Sequence, residues 1–160
     1  MRCDRKKAAL SVALTWMMVA MLQAGCGQHD WQARTFPTRG TITINGEPPE
    51  QAFIKLIKLG EPVDERESDC WALVQADGTY EFSTYESGDG CPPGEYAWIL
   101  RWPANLATMM PDRLGEKYWN QDDPYMTVTI VRGQNDLPAV ELTGVAVKPL
   151  SKPASKVEPR

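Results

Sequence analysis

Apolar and polar residues alternate along short segments of this chain, and residues typical of turns separate the segments. Residues 40–44 place Ile42 and Ile44 between threonines, and residues 95–102 repeat large apolar side chains at every second position. A period of two is typical of a β-strand with one buried face. The same criterion predicts seven strands, at residues 40–44, 53–59, 70–76, 79–85, 95–102, 126–131 and 137–142.

Residues that accept a positive φ lie between these strands. Asn45-Gly46 is followed by Pro48 and Pro49, and Asp77-Gly78 joins the third strand to the fourth. Asp-Gly supplies the backbone that a two-residue hairpin needs, and proline cannot continue a ladder. No amphipathic helix of useful length is indicated, and the long connection 103–125 predicts only a short helical turn near 106–110. We therefore predict an all-β fold, a seven-stranded antiparallel β-sandwich.

A basic and then apolar segment precedes the first strand. Four basic residues within the first seven positions are followed by an uncharged run over residues 8–22. A basic start, a short apolar core and small residues after it are typical of a secretory signal. The run is shorter than the roughly 20 residues that a membrane span needs. We predict a signal peptide over residues 1–25, and a permanent N-terminal anchor helix is the alternative.

The apolar run ends in Leu22-Gln23-Ala24-Gly25-Cys26, which resembles a bacterial lipobox. In that motif small residues precede a cysteine whose sulfur carries diacylglycerol, so the resemblance implies a lipid anchor on Cys26. Gln23 departs from the motif, which has an aliphatic residue at that position. Ordinary cleavage after Ala24, without lipid, is the alternative.

Several short motifs follow one another in the strand region. They are Arg39-Gly-Thr-Ile-Thr-Ile-Asn-Gly46, Ala76-Asp-Gly-Thr-Tyr80, Pro92-Pro-Gly-Glu-Tyr96, Thr127-Val-Thr-Ile130 and Gly133-Gln-Asn-Asp-Leu137. In this order they resemble the carboxypeptidase-regulatory-like domain, a transthyretin-like (prealbumin-like) sandwich found in small bacterial lipoproteins. The resemblance implies that fold and a non-enzymatic module, and it supplies no substrate.

The chain divides into four predicted parts. After the signal peptide come a polar, lipid-anchored tether (26–38), the sandwich (39–144) and a disordered, basic, Pro-rich tail (145–160). Cleavage removes four bases and one acid, so the net charge falls from −4 to −7. An acidic surface argues against nucleic acid, whose phosphates require a basic face. The expected partners are the membrane, through lipid on Cys26, and an envelope protein or a glycan.

Two cysteines remain once Cys3 leaves with the signal and Cys26 carries lipid. An even pair in an exported protein, here Cys70 and Cys91, predicts a disulfide, and two buried free thiols are the alternative. The pair flanks the Asp77-Gly78 hairpin, so its role is structural in either case. No spacing typical of a zinc site is present, and the sequence implies no metal or other cofactor.

Residue types that perform catalysis are scarce. His29, in the tether, is the only histidine. General acid–base chemistry usually needs histidine or paired carboxylates in a pocket. Hydrolases of the transthyretin-like fold use several histidines and end in Tyr-Arg-Gly-Ser, whereas this chain ends Lys156-Val-Glu-Pro-Arg160. We predict no catalytic residue and no enzyme activity.

Two further hypotheses concern charged residues. Lys55 and Asn135 are candidates for an isopeptide bond of the kind found in related adhesin domains, but Leu100 stands where that chemistry requires a glutamate. The acidic loop 61–69 lacks the spacing of a calcium loop. A solvent-facing lysine and a solvated loop are the preferred interpretations.

Aromatic residues are the remaining candidates for ligand contact. Trp102, Tyr118 and Trp119 flank the long connection, and such connections are often functional. Exposed rings stack on sugars or bind peptides. The alternative is that Tyr118 and Trp119 cap the open end of the sandwich, because large aromatics are mostly buried. The predicted function is that of a non-catalytic, membrane-anchored envelope protein acting as a structural or protein-interaction module; a carbohydrate-binding module that uses these three residues is the alternative.

Overall fold

The structure is a computed structural model that describes residues 29–150. Eight strands and no α-helix occur in this part of the chain, and all the strands belong to a unit that begins at Trp31. The strands are β1 (Thr38–Ile44), β2 (Phe53–Lys58), β3 (Cys70–Leu73), β4 (Thr79–Glu81), β5 (Gly94–Arg101), β6 (Met126–Ile130), β7 (Asn135–Asp136) and β8 (Val140–Leu142). No helix in residues 29–150 is long and apolar enough to cross a membrane. The predicted signal peptide, Cys26 and residues 151–160 lie outside the described residues.

The strands form two four-stranded sheets, as a sandwich requires. The first sheet has the order β4-β1-β7, with β8 also paired to β1, and the second has the order β3-β2-β5-β6. Every pair in the second sheet is antiparallel, whereas β1 runs parallel to both β7 and β8. The all-β prediction is confirmed. The structure has eight strands rather than seven, and the purely antiparallel arrangement is wrong at the two parallel pairs.

The strand that the sequence did not predict, β7, begins at Asn135 and pairs in parallel with β1. The Asn135 side chain closes the turn after β6, since its Oδ1 accepts the backbone N–H of Val131 and its Nδ2 donates to the carbonyls of Val131 and Gly133. Its backbone N–H donates to the carbonyl of Pro37 at 2.8 Å. The chain therefore leaves β6 and joins the other sheet beside β1, without forming a hairpin.

The hydrophobic core lies between the sheets and is dominated by β5. Tyr96, Trp98 and Leu100 are completely buried, as their alternation predicted. From the first sheet, Tyr80 and Phe82 pack edge to face at 5.6 Å between ring centroids. Burial of large aromatic and aliphatic side chains on both inner faces is the main source of stability in such a fold.

Residues 31–37, predicted as part of the tether, pack against the body. Phe36 and Cys91 exchange two backbone hydrogen bonds, at 2.9 and 3.0 Å. The Ala33 N–H donates to the Tyr85 hydroxyl at 2.9 Å, and the Trp31 ring meets the Tyr85 ring edge-on at 5.5 Å. The folded body therefore begins at Trp31, five positions after the predicted anchor cysteine.

The long connection between β5 and β6 contains hydrogen-bonded turns and no helix. Its organiser is Asp112, which is buried and was not singled out by sequence. The Asp112 carboxylate accepts backbone N–H groups from Trp102, Leu114 and Glu116 at 2.9, 3.2 and 2.7 Å. Three such bonds satisfy the buried carboxylate and fold the connection back onto the sheet.

Candidate functional site

The three aromatic residues predicted to contact a ligand, Trp102, Tyr118 and Trp119, lie in different environments. Tyr118 is only 9% exposed and belongs to the core cluster. Trp102 is half-buried, with its Nε1–H donating to the Glu50 carbonyl at 3.0 Å and the Arg113 guanidinium 3.7 Å from its ring centroid. Trp119 is also half-buried. For Tyr118 the position agrees with the alternative that it packs against the sandwich.

Trp71 on β3, which the sequence analysis did not select, is 40% exposed. Its neighbours Cys70 and Ala72 point into the core, so alternation turns Trp71 outward. Phe53 stacks against its ring at 6.2 Å with an angle of 21° between the planes, and Trp119 packs on Phe53 at 5.8 Å. These three side chains form an aromatic row on the outer face of the second sheet.

Trp71 also lines an open groove of about 830 Å³ that extends from β3, at the edge of the second sheet, across the outer face of the first sheet. It is named the Trp71 groove below. Ligand sites commonly have volumes of roughly 300–1,000 Å³. Hydrogen-bonding side chains and a few apolar ones share the lining, which includes Arg39, Thr41, Gln75, Thr79, Glu81, Ser83, Asp136, Leu73 and Leu137. The groove thus combines one exposed aromatic wall with a largely polar floor.

The pairing register of β1, β4 and β7 determines where the polar side chains lie on the floor of the Trp71 groove. Arg39 on β1 lies opposite Glu81 on β4 and opposite Asp136 on β7, while Thr41 lies opposite Thr79. The Arg39 Nε–H donates to Asp136 Oδ1 at 2.6 Å. Side chains at alternate positions of neighbouring strands share a face, so the charged row and the hydroxyl row lie side by side in the groove.

The charges in the groove are fixed by their pairing. The hydrogen bond from Arg39 is the main cause that lowers the pKa of Asp136, and Gln134 adds a second hydrogen bond. The same pairing raises the pKa of Arg39. Asp136 is therefore an anion and Arg39 a cation throughout the neutral range.

Backbone contacts hold the aromatic wall in place. Trp71 and Ser83 exchange two backbone hydrogen bonds, at 3.0 and 2.8 Å, which join β3 of the second sheet to the chain just after β4. Phe53 covers one face of the indole ring. The ring that borders the groove is therefore oriented before any ligand arrives, which reduces the entropy lost on binding.

Cys70 and Cys91 lie together in the core, where both side chains are completely buried and both are free thiols. The Thr84 hydroxyl donates to Cys70 Sγ at 3.3 Å and also to the carbonyl of Gly90, the residue before Cys91, at 2.7 Å. Burial raises the pKa of the Cys91 thiol. The structure thus brings the predicted pair together without forming the predicted disulfide, and the oxidised form stays a prediction.

The acidic loop 61–69 is organised by Asp64. Partial desolvation opposes its ionisation, but hydrogen bonds from Tyr85, Ser68 and Arg66 lower the Asp64 pKa below its usual value. The Tyr85 hydroxyl donates to Asp64 Oδ2 at 2.6 Å, so the loop is tied to the body. Among residues 29–150, no three His, Cys, Asp or Glu side chains gather closely enough to hold a metal ion.

The other sequence candidates have separate positions. Lys55 pairs with Asp69 at 2.6 Å on the outer side of β2, while the Asn135 amide closes the turn after β6. His29 is exposed at the start of the described residues. Cys26 lies outside them, so its predicted lipid remains a prediction.

Comparisons with known proteins add little. No protein-family model matches the chain, and no curated protein matches it significantly. The crystal structure of a DUF3823 family protein from Parabacteroides merdae ATCC 43184 is similar to 74% of this chain, with 18% identity and a TM-score of 0.33. The chain covers 48% of that protein, or about half its length. A likeness this distant assigns neither a family nor a function.

Proposed function

We propose that this chain is a non-catalytic domain of the cell envelope, anchored by lipid on Cys26, that acts by holding a partner in the Trp71 groove. The main observation in support is the pre-oriented, exposed ring of Trp71 beside a row of hydrogen-bonding side chains. The signal-like segment and the lipobox-like residues 22–26 support export and anchoring. They make the partner a molecule outside the cytoplasm.

The proposed fold family is the carboxypeptidase-regulatory-like, transthyretin-like sandwich. Two four-stranded sheets agree with it. The motif turns also have the backbone that the resemblance requires, since Asn45, Gly46 and Gly78 have φ values of 53°, 87° and 85°. The resemblance implies a non-enzymatic module, in accord with the proposed role.

The ligand class that the groove favours is a glycan. Sugar rings have apolar C–H faces that stack on an indole ring. Their hydroxyl groups can hydrogen-bond to Thr41, to Thr79 and to the Arg39–Asp136 ion pair. The sequence alone favours a protein partner, with a glycan as the alternative bound by other aromatics. The groove reverses that order because a concave, mixed polar and aromatic surface suits a small or extended ligand better than a flat protein face.

The electrostatics of the groove support binding without acid–base chemistry. A carboxyl that acts as a general acid near pH 7 has its pKa raised by burial or by a neighbouring anion. Asp136 has the opposite shift, because Arg39 donates a hydrogen bond to its carboxylate. The side chain is suited to orient a ligand hydroxyl and not to deliver a proton.

Affinity electrophoresis through gels containing neutral polysaccharides tests the glycan site. We expect Trp71→Ala to raise the dissociation constant for the polysaccharide about tenfold, which corresponds to about 1.4 kcal/mol of binding free energy. Thr41→Val, which removes a floor hydroxyl at nearly constant shape, should raise it less. Trp102→Ala is the matched control, because that ring lies outside the groove, and it should bind as the parent does.

Two results would overturn the glycan assignment. One is that no polysaccharide retards the parent protein; the other is that Trp102→Ala loses as much binding as Trp71→Ala. Thermal unfolding of each variant shows whether a loss reflects the site or the fold. The anchor is tested separately by the intact mass of protein taken from membranes: a chain beginning at Cys26 with acyl chains supports it, and an unlipidated chain beginning at Gly25 contradicts it.

One observation favours a protein partner as the second candidate. Among the described strands β6 pairs with β5 alone, and a cleft of about 370 Å³ separates it from residues 134–138 of the first sheet. A free strand edge is a template for an added strand from another chain. A photo-crosslinker placed at Thr129 should then yield a protein adduct on intact cells, and soluble polysaccharide should not suppress it.

A further inference from the structure

A second groove lies beside the N-terminal segment of the folded body. It has a volume of about 340 Å³, and its lining includes Arg34, Phe36, Lys58, Pro92, Pro93 and Arg132. Three of these residues are cationic and none is acidic, so we name it the basic groove. Residues 26–144 contain nine basic and nineteen acidic residues. A third of the body's basic residues therefore line one groove of an acidic domain.

The three cations of the basic groove are available to an anion. None of them joins an ion pair within residues 29–150, where the salt bridges are Arg39–Asp136, Lys55–Asp69 and Arg101–Glu116. The Arg34 guanidinium lies over the Phe36 ring at 5.3 Å, and Lys58 Nζ lies 5.6 Å from the Tyr96 ring centroid. Arginine binds a phosphate through two parallel N–H donors, and lysine adds a point charge.

A glycine and two prolines lie beside the cations of the basic groove. The Lys58 stem lies against Gly94. A Cβ at that position would collide with the lysine Cε, so glycine leaves the space that the stem occupies. Pro92 and Pro93 follow Cys91, whose backbone is bonded to Phe36. Proline has a fixed φ, so this wall is stiff.

Chain length relates the basic groove to the predicted anchor. Trp31 is held by the Tyr85 ring on one side and by the Arg66 guanidinium, 3.8 Å from its ring centroid. Cys26 is five positions earlier in the sequence, so a lipid on Cys26 would be joined to the folded body by a short tether. A lipid on Cys26 would keep this end of the domain close to a bilayer surface.

We propose that the basic groove binds the phosphate of an anionic phospholipid headgroup in the membrane that holds the anchor, and so sets the orientation of the domain on that membrane. The proposal rests on the proposed lipid anchor. Charge complementarity selects an anionic headgroup over a neutral one, because three cations with no facing carboxylate repel a second cation and attract a phosphate. Each cation near an anionic surface adds about fivefold to membrane affinity, so three give well over tenfold.

Native mass spectrometry of the protein purified from membranes in detergent tests this directly. The probes are phosphatidylglycerol and phosphatidylcholine, added separately at equal concentration. We expect one bound phosphatidylglycerol, at least tenfold more occupied than phosphatidylcholine. The variant Arg34→Gln with Arg132→Gln should lose that preference, whereas Lys117→Gln with Lys148→Gln, two exposed cations outside the groove, should keep it.

Three outcomes would overturn the proposal: equal occupancy by both lipids, equal loss in the control variant, or displacement of the lipid by millimolar inorganic phosphate. Equal loss in the control would indicate a diffuse charge effect. Arg132→Gln alone should show an intermediate loss, which separates a site effect from unfolding of the double variant. The same spectrum reports the acyl chains on Cys26, so failure of the anchor is read independently of failure of the groove.

Discussion

The ring of Tyr80 on β4 lies across Gly40, its partner on β1, and fills the space that a side chain at Gly40 would occupy. A Cβ at Gly40 would overlap the hydroxyl oxygen and ring of Tyr80. Tyr80 is completely buried, so moving its ring aside would disturb the packing of the core. Glycine within a strand usually costs stability, and here it is required by a close approach to an aromatic neighbour.

Gly40→Ala should therefore destabilise the protein although alanine is the better strand residue in isolation. Overpacking of a filled core costs about 1–3 kcal/mol, and urea unfolding at constant m-value measures it. Thr41→Ala, one position along and facing outward, is the matched control and should change the free energy of unfolding by less than about 0.5 kcal/mol. Equal stability of Gly40→Ala and the parent would show that the two strands can separate to admit a side chain.

We expect replacement of tyrosine by phenylalanine to have opposite effects on stability at Tyr80 and Tyr96, whose hydroxyls are both buried. The Tyr80 hydroxyl approaches Trp98 Nε1 but completes no hydrogen bond of standard geometry, and burial raises its pKa to about 12. The Tyr96 hydroxyl donates to the Pro92 carbonyl at 2.8 Å. Removing an unpaired buried hydroxyl is nearly neutral or stabilising, whereas removing a paired one costs about 1–2 kcal/mol.

The melting temperature of Tyr80→Phe should thus equal or exceed that of the parent, whereas the melting temperature of Tyr96→Phe should be several degrees lower. The two variants delete the same atom from the same core, so each serves as the control for the other. Equal losses would mean that Tyr80 has a hydrogen-bond acceptor, such as a buried water molecule, in solution.

The parts of the fold that follow from local pattern could be predicted, and the parts that depend on distant side chains could not. The alternation of Tyr96, Trp98 and Leu100 identified the core-facing side of β5, although Ala97 and Ile99 on its other side are buried as well. Asp77-Gly78 located a tight turn, closed by the Gly78 N–H donating to the Gln75 carbonyl, but the strands on either side of it, β3 and β4, belong to different sheets. The parallel pairing of β1 with β7 includes a hydrogen bond from the Asn135 backbone to Pro37, nearly a hundred residues away, and the Asn135 amide closes the turn that leads into it. No periodicity reports such a contact.

The candidate sites divide in the same way. Trp71 stands between Cys70 and Ala72, so its outward direction was readable from the sequence once the cysteine was taken as buried. What could not be read was the row of outward side chains on β1 and β4 that completes the groove, because it belongs to the other sheet. The basic groove joins Arg34, Lys58 and Arg132, which are too far apart in sequence for spacing to indicate a site.

Asp64 predicts a stability change in acid. Desolvation opposes its ionisation, yet the hydrogen bonds from Tyr85, Ser68 and Arg66 lower its pKa in the folded state. A lowered folded pKa adds stability above the unfolded value of about 3.9, and that stability disappears as the pH falls through the folded pKa. Asp64→Asn should therefore lower the melting temperature at pH 7. It should also reduce the difference between the melting temperatures at pH 7 and pH 3.

Asp123→Asn, at an exposed position of the long connection, is the control for removal of one negative charge. It should leave the pH dependence of melting close to that of the parent. An Asp64→Asn variant with the full acid sensitivity of the parent would show that the loop contacts of Asp64 contribute nothing to folding.

Cys70 and Cys91 are both buried in the core, and we predict that they form a disulfide if the protein is exported as proposed. The thiols are adjacent in the core, and an extracytoplasmic thiol–disulfide oxidoreductase can accept the two electrons, with two protons released, as the S–S bond forms. Closing a loop of this length stabilises a protein by about 3 kcal/mol in the chain-entropy model. Protein isolated from the envelope and unfolded without reductant should therefore take up no iodoacetamide at these positions. After reduction it should take up two equivalents and melt at a lower temperature, whereas two equivalents before reduction would show that the pair stays as buried thiols and that the body is stable without the bond.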